Sequence, residues 1–450
     1  MKKYFPLFLL LVLFSCQKKE KSQEINDLFK IDIQHVLQEV EKLKIAVVGN
    51  KSQQQLQQQF LKSHESYKSI ELLSEYYFPS VTKAVNGPAI PEFEENDGKE
   101  IAPEGFQVIE EFVFPVYKQQ SKEELLKQIG ILTANLKRIQ KIASTNALTD
   151  AHVFDAMRLE VFRIVTLGIT GFDSPIAKNS IPEVVLALQT IQRYFEVYAQ
   201  KNEEASLVLK TIESGIKFLE NNTNFDRFDR ASFILNTANP LSEGLYQAQM
   251  QLGIPVFKEV RGLRTTAQTL FDKNAFDPEA FSGFPDYKTT PEKIALGKLL
   301  FNDPILSGDN SRSCASCHHV DKAFTDGMEK AVSFDGKAFV KRNTPTLKNI
   351  AFQRTFFADS RVNYLEDQAV AVITNKEEMH GDMDAAALKI KTNKDYEKRF
   401  KNAVPTKEIN AFAIKNALGS YIRSLSNYDA KFDRYMRGEL TFTADEKAGF

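Results

Sequence analysis

Cys314-Ala315-Ser316-Cys317-His318 brings two thiols and an imidazole into one short run. Two thiols separated by one short helical turn can form thioethers to the two vinyl groups of a single porphyrin, and the residue after them then carries its imidazole under the iron. The C-x-x-C-H spacing therefore reads as a c-type haem attachment site, with His318 as proximal ligand. A redox-active C-x-x-C would call for a strand-helix-strand setting, and zinc would call for two further Cys or His ligands at metal spacing. The chain has only three cysteines, so no second pair is available, and the flanks read as loop and helix. His319 points elsewhere on a turn and reads as a surface histidine.

The elements that must position this motif belong to a mainly α chain. From 293 to 438 short helices alternate with long Gly-, Asn- and Asp-containing loops, which usually carry function, and the haem motif among them leads us to expect a cytochrome c-like haem domain. Ahead of it, Asp277-Pro278, Gly283, Pro285 and Pro291 interrupt periodicity and mark 272–292 as a linker. From 26 to 271 apolar residues recur at three- and four-residue spacing, as in 125–142 and 184–197, which predicts an antiparallel helical bundle. Ser121 with Glu124 reads as a capping box, and Thr149-Asp150 as the start of a helix over 151–165. The stretch 78–115, rich in Pro, Gly, Asn and acids, reads as a long ordered loop or an inserted turn system.

The first residues carry a different message. Lys2 and Lys3 precede an apolar run over 4–14 that is about half of the ~20 residues a membrane-spanning helix needs, so 1–15 reads as a signal peptide. Leu13-Phe14-Ser15-Cys16 resembles the lipobox of bacterial lipoproteins, which implies a lipid on Cys16, a tether over 16–25 and a place in the cell envelope, periplasmic or on the outer membrane. The 58 basic and 59 acidic side chains balance, which excludes nucleic-acid binding by bulk charge. With 43% apolar and 26% charged residues, disorder and polytopic membrane topology are excluded as well.

Around the haem motif a longer series is legible. Ala295-Leu296-Gly297-Lys298-Leu299-Leu300-Phe301, Asp303-Pro304, Leu306-Ser307-Gly308, Phe324-Thr325-Asp326-Gly327, Arg342-Asn343-Thr344-Pro345-Thr346-Leu347, Leu365-Glu366-Asp367-Gln368-Ala369, Asn375 and Glu378-Met379 follow in order. The series resembles the bacterial di-haem cytochrome c peroxidases and the related di-haem methylamine-utilisation enzymes. The resemblance implies that Cys314, Cys317 and His318 hold the peroxide-reacting haem c, and that Gln368 and Glu378 lie on its distal side with Glu378 as the acid–base group. It further implies that Asn343 contributes to a calcium ion, that the substrate is hydrogen peroxide, and that a small donor such as a cytochrome c supplies electrons. Two departures stand out. Ala358 occupies the place of the family's inter-haem tryptophan in 357–361, and no histidine lies between Val320 and Lys341 to close the distal iron site, which predicts an open iron. Residues 425–438 resemble the connection between haem domains, and 439–450, with Thr443 as cap and Glu446 three residues on, resemble the start of a second one. A second C-x-x-C-H is thus expected beyond the chain end. In the bundle, 105–110 resembles the Gly-x-His-x-x-Glu motif of imelysin-like proteins with Gln107 in place of the histidine, while Glu110 and Glu111 read as a solvated helix face.

The expected function is a haem c peroxidase-type oxidoreductase. The alternatives are an electron-transfer cytochrome, in which Met379 or Met383 closes the iron, and a di-haem oxidase of a protein or organic substrate.

Overall fold

Helices account for nearly all regular structure in the computed structural model, which describes residues 20–94, 99–199, 203–404, 406 and 408–450. The signal, the lipobox and Cys16 lie outside the described residues. The chain divides into two units that meet in sequence at Pro255 and Val256.

The first unit contains α1 (Lys21–Val48), α2 (Gln53–Tyr77), α3 (Pro79–Asn86), α4 (Phe106–Val113), α5 (Lys122–Ala143), α6 (Asp150–Arg163), α7 (Ser180–Tyr198), α8 (Glu203–Asn221), α9 (Arg230–Phe233) and α10 (Asn239–Gln251). The predicted stripes are the buried ones. Ile25, Phe29, Ile33, Val36, Val40, Leu43 and Val47 line α1, and Leu125, Ile129, Leu132, Leu136 and Ile139 line the face of α5 packed against it. Thr149 caps α6 through the His152 amide, as expected. Ser121 does not cap α5; a turn of 3-10 helix over Gln119–Ser121 precedes it, and Glu124 turns instead to Lys127 and Gln128.

The 78–115 stretch is not a plain loop. It holds α3, α4 and a hairpin of β1 (Glu92–Glu94) and β2 (Lys99–Ile101). Pro79 starts α3 where its missing N–H costs nothing. Gly105, at φ +98°, precedes α4 so closely to α3 that a Cβ would sit 2.4 Å from the Val85 carbonyl oxygen. The Pro and Gly residues that suggested a loop are therefore helix punctuation. Helix α1 likewise begins at Lys21, inside the expected tether.

The second unit contains α11 (Pro291–Asn302), α12 (Leu365–Thr374), α13 (Met383–Lys391), α14 (Lys394–Ala403), α15 (Ala411–Arg423), α16 (Lys431–Met436) and α17 (Ala444–Gly449). Residues 256–290, most of the expected linker included, pack into it. Phe276 stacks on Tyr428 with centroids 4.8 Å apart, and Arg437 Nη1 donates to the Phe271 carbonyl at 2.9 Å. The aromatic side chains between the prolines and glycines hold this stretch down. At the chain's end Thr443 and Glu446 form the expected capping box of α17.

Helices α11 and α15 form the backbone of the unit, and Leu296, Leu300, Phe301, Ile414, Leu418 and Tyr421 fill the core around them. They cross at Gly297, where an added Cβ would fall 1.9 Å from the Ala417 carbonyl oxygen. That oxygen belongs to a helix backbone and cannot step aside cheaply. Gly297→Ala is accordingly expected to destabilise this unit by about 1–3 kcal/mol, the usual cost of overpacking. Denaturant unfolding with an unchanged midpoint would refute it.

Candidate active site

Ser313 precedes a single 3-10 turn over Cys314–Ser316, and Ser313 N donates to Ser316 Oγ at 3.0 Å. The turn packs Cys314 and Ala315 against the apolar core and brings His318 N to the Cys314 carbonyl at 2.9 Å. Burial pushes the Cys314 thiol up to about 12 and raises Cys317 as well. A redox-active C-x-x-C carries a lowered thiol, so this pair lacks that electrostatic signature.

The imidazole of His318 is fixed by a second turn. Ala323 and Phe324 both have left-handed φ, +55° and +61°, a conformation unfavourable for such residues. Phe324 N donates to the His319 carbonyl at 2.7 Å, Thr346 Oγ1 reaches the Ala323 carbonyl, and Thr344 Oγ1 donates to Asp326 Oδ2 at 2.9 Å. So held, the Phe324 carbonyl lies 2.8 Å from His318 Nδ1. A carbonyl only accepts, so Nδ1 carries the proton and the Nε2 lone pair is left for iron. Burial also lowers the His318 pKa, favouring the neutral ring a metal requires. The donor set and its orientation fit one covalently attached haem.

The other side of the site is built on α12. Leu365, Glu366, Ala369 and Ile373 turn inward. Gln368 and Asn375 stand seven residues apart, two helical turns, and so share another, less buried face. Asn375 closes the helix into the Glu378 turn: its Oδ1 accepts from Glu377 N at 3.0 Å, and its Nδ2 donates to Glu378 Oε2 at 3.1 Å. Burial raises the Glu378 pKa, against the pull of Asn375 and of the Arg361 guanidinium. The Glu378 carboxylate adds to the upward push on the Cys317 thiol, after burial and Asp326. Glu378 sits on a turn tied to the segment ahead of the motif by Gly308 N, which donates to the Met379 carbonyl at 3.1 Å, while Gln368 is half-buried on α12.

The remaining candidates fall elsewhere. His319 pairs with Thr325 through its backbone, and its ring adds to the lowering of the His318 pKa. Met379 and Met383, 3% and 7% exposed, belong to the apolar core. Where a tryptophan was missed at Ala358, Phe357 lies under the Arg361 guanidinium at 3.7 Å and Phe356 is buried beside it. Asn343 is exposed, and among the described residues no group of three or more His, Cys, Asp or Glu side chains could hold a metal ion. Arg312 and Arg361, which touch the Glu378 turn or its field, escaped the sequence reading because no spacing rule marks a lone arginine in a loop.

In the first unit Glu110 is buried, contrary to the solvated face expected for it, whereas Glu111 is exposed. Glu110 Oε1 accepts from Ala177 N at 2.8 Å and Ser174 Oγ at 3.1 Å, and Gln107 Nε2 donates to the Asn86 carbonyl at 3.0 Å. Beside them Lys68 bridges Glu71 and Asp173, both at 2.8 Å, and Arg163 Nη2 reaches the same two carboxylates at 3.0 and 2.8 Å. His64 lies between Glu183 Oε1 and Asn86 Oδ1 at 2.9 and 3.0 Å; burial pushes its pKa down, but the Glu183 carboxylate prevails and raises it. Lys68, Arg163 and His64 each meet an opposite charge here, whereas Glu110 is held by neutral donors alone.

Comparison with known proteins bears on the second unit. Residues 291–441 match the family model described as di-haem cytochrome c peroxidase. The methylamine utilization protein MauG of Methylorubrum extorquens is 41% identical over 163 residues, covering 36% of this chain and 46% of that protein. The cytochrome c peroxidase Ccp of Escherichia coli is 32% identical over 164 residues, covering 36% of this chain and 35% of that one. Among solved structures, a MauG-like protein associated with microbial copper homeostasis aligns at 31% identity with a TM-score of 0.35, over 36% of this chain and 49% of that chain. The matched region thus spans about half, or less, of each relative's own length. Residues 291–441 of this chain are thus similar to the di-haem cytochrome c peroxidases over one haem domain's length.

Proposed function

We propose that the second unit is a haem c peroxidase-type oxidoreductase that reduces hydrogen peroxide with electrons from a small donor protein, such as a cytochrome c, in the cell envelope. Peroxide, two electrons and two protons give two waters, and the reaction needs a group that takes a proton from one oxygen and returns it to the other. Haem c, held by Cys314, Cys317 and His318, supplies the redox chemistry of O–O cleavage when bound. The chain's own residues do the rest. His318 presents Nε2, Asn375 orients the Glu378 carboxyl, and Gln368 offers an amide on the same face. The carrying observation is Glu378 itself: a half-buried carboxyl, raised in pKa, held by Asn375 on a turn that Gly308 and Arg312 tie to the segment leading into the haem motif. The apolar run over 4–14 ending in Ser15-Cys16 supports a lipid anchor in the envelope.

A second reading, oxidation of a protein or organic substrate, draws on the higher identity to the methylamine utilization protein than to the Escherichia coli peroxidase, 41% against 32%. Hydrogen peroxide added to the ferric full-length holoprotein is expected to shift its Soret band and to make it oxidise reduced cytochrome c. A six-coordinate spectrum that peroxide leaves unchanged would overturn the peroxidase reading. Peroxide reactivity without cytochrome c turnover would favour the second.

A further inference from the structure

Arg312 stands just ahead of the haem motif, yet its side chain reaches away from it. Nη1 donates to the carbonyls of Val332 at 3.0 Å and Glu378 at 3.3 Å, and Nη2 donates to that of Ser333 at 2.8 Å. These acceptors come from two segments well separated in sequence, the 331–340 loop and the turn that carries Glu378. The loop is closed on itself before Arg312 meets it: Val340 N donates to the Ala331 carbonyl and Ser333 N to the Ala338 carbonyl, both at 2.8 Å, and Ser333 Oγ bonds Asp335 at 2.7 Å. It is joined to the Glu378 turn again by Phe334 N, which donates to the Glu377 carbonyl at 2.7 Å. The Phe334 ring stands edge-on to His380 at 5.6 Å and takes the Arg312 guanidinium against it at 5.7 Å.

The segment leading to Cys314 grips the same turn from a second point. Gly308 N donates to the Met379 carbonyl at 3.1 Å, and Arg312 N donates to Ser307 Oγ at 3.2 Å. A planar guanidinium can serve three carbonyls in fixed directions at once, which neither an amide nor a flexible ammonium does equally well.

We propose that Arg312 is a positioning residue for the peroxide reaction: it locks the Glu378 turn and the 331–340 loop to the haem-attachment segment, so that carboxyl and haem keep one fixed separation. The proposal rests on the peroxidase reading, in which Glu378 moves the proton. Arg312 acts through the carbonyl of the residue it places.

The test uses the full-length holoprotein as Arg312→Gln, as Arg312→Lys, and each combined with Glu378→Gln, with covalent haem content measured alongside. Arg312→Gln is expected to keep its haem and to lower the second-order rate constant with hydrogen peroxide about 10–100-fold, the scale of a misplaced catalytic group. Arg312→Lys is expected to lose less, but at least about threefold. On the Glu378→Gln background either change is expected to cost under about twofold further, because the group being positioned has already lost its function. A merely structural role would multiply through on both backgrounds. Arg312→Gln within about twofold of the unmodified protein at full haem content would overturn the proposal, and so would a loss that multiplies fully with Glu378→Gln. If Arg312→Gln lacks haem, Arg312→Lys decides by the same non-additivity. Inertness of the unmodified holoprotein toward peroxide would instead overturn the peroxidase reading, and Arg312's role with it, before any variant is compared.

Discussion

Glu378→Gln is expected to slow the reaction of the holoprotein with hydrogen peroxide by about 10²- to 10⁴-fold while leaving haem content and unfolding midpoint essentially unchanged. The amide has the carboxyl's shape and can still accept from Asn375 Nδ2, which bonds Glu378 Oε2 at 3.1 Å, so the turn should survive. What it cannot do is take a proton and hand it back. The pH dependence carries a sign of its own. Burial raises the Glu378 pKa above its ordinary value, and the ionised form is the one that accepts peroxide's proton. The rate should therefore be low in acid, rise through this raised pKa and level off above it. Glu378→Gln should be flat over the same range. Linkage runs the opposite way: the folded state holds this proton more tightly than the unfolded one, so ionising Glu378 draws on stability as pH rises from the unfolded to the folded pKa. Catalysis then uses the form of Glu378 that folding disfavours. A variant that keeps the acid limb, or that slows less than about threefold, would remove Glu378 from the proton path.

What was legible in advance and what was not follow from how each feature is encoded. The C-x-x-C-H run, the stripes of α1 and α5 and the cap of α6 by Thr149 are local: the residues that make them lie within a few positions of one another, and the structure keeps them. The order of the motifs around Gln368 and Glu378 was legible too, since α12 and its Asn375 turn are one continuous piece of chain. The misreadings share a cause. Pro79 and Gly105 looked like loop residues because a proline at a helix start and a glycine before one carry the same composition as a loop. Residues 272–290 read as a linker because Phe276 and Tyr287 find partners, Tyr428 and Phe412, that lie well over a hundred positions away. Glu110 read as solvated because its acceptor role depends on Ser174 and Ala177 from another element. Arg312 left no trace because the groups it holds are main-chain carbonyls, which every residue has.

Glu366→Ala is expected to destabilise the second unit by about 3–5 kcal/mol, a large share of the ~5–15 kcal/mol a domain has. Glu366 on α12 and Arg423 at the end of α15 are 0% and 2% exposed. Arg423 Nη2 donates to Glu366 Oε2 at 2.9 Å, Nη1 lies 2.7 Å from Oε1, and Nη1 also donates to the Tyr287 carbonyl at 3.2 Å. Burial alone would push the Glu366 carboxyl toward its neutral form, and the guanidinium opposes that. Removing the carboxylate leaves a buried cation that cannot shed its charge, whereas removing both charges does not. Glu366→Leu with Arg423→Met should therefore recover most of the loss, the expected behaviour of a buried pair replaced by apolar groups of similar size. Space is tight on this side of α12, because a Cβ on Gly419 would already lie 2.5 Å from Glu366 Oε1, so the leucine must be accommodated against α15. Denaturant unfolding followed in the Soret band reads this unit alone. Because α12 also carries Gln368 and ends in Asn375, loosening it from α15 should slow the peroxide reaction before the unit unfolds. The double variant should restore rate and stability together. Recovery of stability without recovery of rate would show that the Glu366–Arg423 charge itself, and not only the seating of α12, acts on the site.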